Sequence, residues 1–158
     1  MDADYELTGM YSQRISSALC SFLLTQQQQT ENFMKALLHV VETQWLLLTV
    51  VIIILISVMS LYPLESLPLV PGSDKTHHFI AYATLVFPAA YAKPKLWPVI
   101  VIGLFGYSGL IELLQPYVNR YGEWLDLTAN AIGLMVGMVL AFIVKAVFGG
   151  RSGDEKLL

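Results

Sequence analysis

The side chains best able to do chemistry fall in three short stretches. The first reads Asp74-Lys75-Thr76-His77-His78, with Tyr82 one turn further on. Asp74, His78 and Tyr82 are spaced i, i+4, i+8 and share one stripe of a helix. In the second stretch Ser108, Glu112 and Gln115 follow i, i+4, i+7. In the third, Arg120 and Glu123 precede Asp126, Asn130, Gly133 and Gly137, whose i, i+4, i+7, i+11 spacing again gives one face. Glu112 stands between Leu110-Ile111 and Leu113-Leu114. A carboxylate in such surroundings needs a cationic partner, a proton or a ligand.

Two chemistries suit these residues. In a binding site, Lys75 and Arg120 contact anionic groups, and arginine can grip a phosphate or carboxylate by two bonds. Glu112, Gln115 and Asn130 then supply hydrogen-bond selectivity, with Asp74, His78, Tyr82 and Asp126 completing the set. In an enzyme, a hydrolase or transferase on a lipid-linked substrate, His78 is the general base oriented by Asp74. Glu112 or Asp126, kept protonated by burial, is the acid. The sequence has no nucleophile elbow, no glycine-rich phosphate loop and no H-E-x-x-H zinc motif. His77 and His78 with Asp74 make a poor metal site, because adjacent helical residues diverge by about 100°. No metal and no cofactor is therefore expected. The plainer alternative makes Asp74 or Ser73 a helix N-cap, His78 an interfacial side chain, and the protein a small scaffold or partner subunit.

The elements that must position these groups are apolar helices. Of 158 residues, 56% are hydrophobic and 13% charged, with a mean hydropathy of +0.61. Soluble domains carry about twice that charged fraction. The balance excludes a soluble globule and a disordered chain. A net charge of −3 excludes a general basic field for nucleic acid. The single Cys20 excludes an intrachain disulfide and a cysteine-based metal site, and Leu19 before it is too large for a lipoprotein signal.

Four segments approach the roughly 20 residues a membrane helix needs, at residues 45–62, 76–92, 96–115 and 125–148. Pro63, Pro68, Pro71 and Gly72, then Lys93-Pro94-Lys95, then residues 116–122 separate them. Pro88 lies inside the second segment and should kink it or loosen its last turn. Arg14, Lys35, Lys93, Lys95, Lys145, Arg151 and Lys156 fall on one side, against Lys75 and Arg120 on the other. By the positive-inside rule both termini are cytoplasmic, and the polar cluster lies at the outer end. The expectation is an all-α polytopic membrane protein with four transmembrane helices. Residues 1–44 form an N-terminal cytoplasmic extension, either one or two amphipathic helices against the inner membrane face or a loosely ordered segment, residues 45–148 the membrane domain and residues 149–158 a cytoplasmic tail. The acidic start carries no convincing cleavable signal, and Met34 is an alternative point of initiation. Gly133 and Gly137 are a small-residue stripe for close helix packing, with Gly103, Gly106 and Gly109 expected to face them.

In this order, Asp74-Lys75-x-x-His78-x-x-x-Tyr82, Glu112-x-x-Gln115, Arg120 and Asp126-x-x-x-Asn130-x-x-Gly133-x-x-x-Gly137 resemble the VanZ-like family, named for a protein of teicoplanin resistance. The resemblance covers residues 45–147 and leaves 1–44 outside. It implies a four-span, multi-pass protein of the bacterial inner (plasma) membrane and cell envelope. For the named member it implies lower sensitivity to a lipid-tailed glycopeptide, without a change in the peptidoglycan precursor. It implies no established reaction. Family members often carry a small residue between the arginine and the aspartate, where Glu123 stands here. The expected partners are membrane lipids or a lipid-linked envelope molecule, with a homo-oligomer as a further association and no nucleic acid.

Overall fold

In a computed structural model, residues 3–62, 74–118 and 123–149 are described, residues 3–13 and 15–18 by their backbone alone. The segment holding Pro63, Pro68, Pro71, Gly72 and Ser73 lies outside them, as does Arg120. The described residues are helical: α1 (Ala3–Thr43), α2 (Trp45–Leu61), α3 (Asp74–Ala92), α4 (Trp97–Leu114) with a 3-10 turn (Gln115–Val118), and α5 (Trp124–Phe148). The chain divides into two compact units, Met1–His39 and Val40–Leu158.

In the first unit α1 runs without a break through the glutamines at 26–29, so the extension is one helix rather than two. Leu19, Phe22, Leu23, Leu24, Phe33 and Leu37 are exposed on it.

In the second unit, α2 is a run of leucine and β-branched residues that would be an indifferent helix former in water. Where no water is at hand, each backbone group must find its partner within the segment, and a helix does this. Side-chain hydroxyls follow the same rule. Thr49 donates to the Trp45 carbonyl, Ser57 to Ile53 and Thr84 to Ile80, each at 2.8 Å.

Among the described residues two helices, Trp97–Val118 and Trp124–Phe148, are long and apolar enough to cross a membrane, or three if Leu19–Thr43 and Trp45–Leu61 count as one span. Polar residues in the first turns of α3 lower its apolar character.

The core of the unit is the α3–α5 pair. Tyr82, Leu85, Val86, Ala89 and Ala90 of α3 and Leu134 and Ala141 of α5 are buried. Gly133 and Gly137 make this approach possible. A Cβ on Gly133 would strike the Phe79 carbonyl oxygen and lie 3.2 Å from the Ala83 nitrogen. One on Gly137 would strike the Ala83 carbonyl oxygen and lie 2.6 Å from Val86 Cγ1. The partner of the glycine stripe is therefore α3, not α4. Positions on Gly103, Gly106 and Gly109 open onto free space, because the small side of α3 has taken the place they were expected to fill.

Pro88 does not end α3, which continues to Ala92. The helix stops at Lys93, whose φ of 50° is left-handed, just before Pro94. Its ammonium sits over the Phe142 and Trp97 rings, 4.3 and 5.8 Å from their centroids. Those rings meet edge to face at 5.6 Å. Lys145 of α5 donates to the Tyr91 carbonyl at 2.8 Å and to Glu42 at 3.1 Å. Between α2 and α4, the Tyr107 hydroxyl lies 2.8 Å from Ser57 Oγ and donates to the Ile53 carbonyl at 3.1 Å.

Candidate functional site

Three helix ends meet at the level of the polar residues. The first two turns of α3 carry Asp74, Lys75 and His78. The last turns of α4 carry Ser108 and Glu112, and Gln115 opens the 3-10 turn that follows. Glu123 and the first two turns of α5 bring Asp126 and Asn130. Helix periodicity aims each set inward, since the residues recur every three or four positions.

Asn130 is the hub. Its Nδ2 donates to Ser108 Oγ at 2.8 Å and to Glu112 Oε1 at 3.2 Å. Its Oδ1 lies 3.1 Å from His78 Nδ1. An amide oxygen only accepts, so Nδ1 carries the proton in this arrangement and donates it. Glu112 Oε1 is 3.6 Å from the same nitrogen. On the other side of the ring, His78 Nε2 is 3.9 Å from Asp74 Oδ2, beyond direct hydrogen-bond distance. Asn130, more than Asp74, therefore orients the imidazole. Lys75 bonds Glu123 Oε2 at 2.7 Å and stands 3.5 Å from Asp126 Oδ1.

The nest has a wet rim and a dry floor. The side chains of Asp74, Lys75 and Glu123 are 55%, 43% and 51% exposed. Those of Ser108, Gln115, Asp126 and Asn130 are buried, and His78 nearly so. Tyr82 is buried one turn below His78, its ring 6.4 Å from that of Tyr107. Among the described residues three buried oxygens accept or donate no hydrogen bond, those of the Tyr82 hydroxyl, Glu112 Oε2 and Asp126 Oδ1, the last facing only the Lys75 ammonium at 3.5 Å. Native structures rarely leave such atoms unserved.

Of the residues singled out from sequence, Asp74, Lys75, His78, Glu112, Asp126 and Asn130 are joined by these contacts, Gln115 and Tyr82 are buried on the same helices, and Arg120 is outside the described residues. Ser108 and Glu123 join the cluster although the sequence assigned them no binding role. Ser108 was signalled by its place one turn before Glu112. The salt bridge of Glu123 had no signal, because it joins residues 48 positions apart. With Glu123 included, the described charges are acidic in balance: Asp74, Glu112, Glu123 and Asp126 against Lys75.

A family model described as VanZ/LLP1 matches residues 17–145. No curated protein and no solved structure matches the chain. The match begins well upstream of Trp45, so it takes in much of α1, which the sequence resemblance left out. It also contains every residue of the nest. The protein is an all-α membrane protein, and it belongs to the VanZ/LLP1 family.

Proposed function

We propose that the protein is a multi-pass inner-membrane component of the bacterial cell envelope that binds an amphiphile at the nest formed by α3, α4 and α5. The ligand class is a lipid headgroup, a lipid-linked envelope precursor or the tail region of a lipoglycopeptide. The observation that carries this reading is the buried network of Asn130, His78, Glu112 and Ser108 beneath an exposed charged rim. Polar contacts between membrane helices contribute only about 0.6 kcal/mol each. Packing alone gives little reason to keep so many ionisable groups at one level. Apolar side chains beside it, Leu113 on α4 and Leu125 on α5, are exposed, as suits an acyl chain running away from a headgroup held in the nest.

In this reading α2, α3, α4 and α5 are four spans, both termini are cytoplasmic, and the nest faces the outer leaflet. Residues 1–44 are an extension, 45–148 the membrane domain and 149–158 a tail. Lys75 and Arg120 engage anionic groups of the ligand, while Asp74, His78, Tyr82, Glu112, Gln115, Asp126 and Asn130 select among headgroups. An effect on glycopeptide or envelope sensitivity follows from sequestering such a molecule.

Lipid content of the purified protein tests the reading. Wild type should retain a stoichiometric lipid through detergent exchange, and Glu112→Gln and Arg120→Ala should each lose most of it. Equal lipid content in all three proteins refutes the reading.

A further inference from the structure

We propose that Asp74, His78 and Asp126 form a site for one divalent first-row transition-metal ion. Their ligand atoms lie within 4.8 Å of one another, two residues on α3 and one on α5. An ion with bonds near 2.1 Å in tetrahedral array holds its donors about 3.4 Å apart. The cluster is thus slightly open, and binding an ion would draw in the Asp74 carboxylate at its exposed edge. Sequence spacing spoke against a metal because His77 and His78 diverge. The fold supplies the third donor from a different helix.

Asp126 points most directly to a ligand. The residue is 1% exposed, yet its Oδ1 accepts no hydrogen bond. Among the described residues its cation is Lys75, whose ammonium bonds Glu123 at 2.7 Å and stands farther from Asp126 Oδ1, at 3.5 Å. His78 is prepared as well. Asn130 donates to Ser108 and Glu112, so its carbonyl oxygen faces His78 Nδ1 and takes that proton. In the neutral ring the lone pair then sits on Nε2, the nitrogen on the Asp74 side. Metal-binding imidazoles are commonly set up in this way, with the second nitrogen donating to an outer oxygen.

One imidazole and two carboxylates suit zinc, cobalt or manganese, whereas magnesium and calcium prefer oxygen donors throughout. Three protein ligands leave at least one position open. A dication here also offsets the acidic balance of the described charges, which would otherwise disfavour a phosphate or carboxylate. The ion's binding is independent of the amphiphile reading.

The test uses tag-free full-length protein in detergent, treated with chelator and titrated with Co2+. One ion should bind per chain with the visible absorption bands of a low-symmetry site, displaced by Zn2+ and not by Mg2+. Asp74→Asn, which alters an exposed side chain, and His78→Gln should abolish the bands. Asn130→Ser should weaken binding about 10- to 100-fold. The exposed His77→Gln should bind as wild type, and Lys75→Gln should bind more tightly, since Lys75 competes for Asp126. Absence of saturable Co2+ binding in wild type, or equal binding in folded Asp74→Asn, overturns the proposal.

Discussion

Gly137→Ala is a stringent probe of the α3–α5 seam. The added methyl would meet the Ala83 carbonyl oxygen, with the Ala83 carbonyl carbon at 2.9 Å and Val86 Cγ1 at 2.6 Å. Val86 can change rotamer, but the Ala83 carbonyl is part of the α3 backbone and can yield only if the helices part. Overpacking of this kind costs about 1–3 kcal/mol. A backbone obstacle places Gly137 toward the upper end. Against this, alanine gains about 1 kcal/mol in helix propensity over glycine. The net loss is about 2 kcal/mol, a drop in melting temperature of roughly 4–8 °C for a chain of this size. Gly106→Ala is the matched control, because nothing lies within 4 Å of its new methyl. It should keep or raise the melting temperature. Thermal unfolding of both variants in one detergent, followed by near-UV circular dichroism, makes the comparison. If Gly137→Ala melts with or above wild type, or Gly106→Ala falls as far, the assignment of the seam is wrong.

Asn130→Ala removes the group that serves His78, Ser108 and Glu112 together. It should lower stability by about 1–3 kcal/mol, read from the same melting curves, and an unchanged curve would mean that water replaces the amide freely. Tyr107→Phe cuts the link to Ser57 and the Ile53 carbonyl between α2 and α4. It should cost only about 0.6 kcal/mol. A loss as large as that of Asn130→Ala would show that α2 depends on this contact far more than ordinary interhelical bonding allows.

The helices and the polar stripes were legible because both are local. Apolar runs mark the segments, and spacing of three or four residues places Ser108 with Glu112 and Asp126 with Asn130 before any fold is known. What periodicity cannot supply is the pairing of faces. The glycines of α5 and those of α4 look alike in sequence, yet the first pack against the α3 backbone and the second face open space. That choice depended on α3 offering Ala83 and the backbone of Phe79 at the right height. His78 was given Asp74 as its orienting partner by i, i+4 spacing. The closer partner, Asn130, arrives from 52 positions away. Glu123 joined Lys75 in the same long-range manner.

The two ends of α4 are held in different ways, and this sets how the nest can yield. The α3–α5 pair is stitched along its length, by Asn130 at one end, the glycines in the middle and Lys145 on the Tyr91 carbonyl at the other. Near its start, α4 is pinned by Trp97 against Phe142 under the Lys93 ammonium. At the polar end, hydrogen bonds from Asn130 hold Ser108 and Glu112 to α5. A guest that bonds Asn130 in place of both Ser108 and Glu112 would remove these ties between α4 and α5 at the polar end, leaving α4 to its aromatic pivot and its Tyr107 bonds to α2, while the other two helices stay closed as one beam.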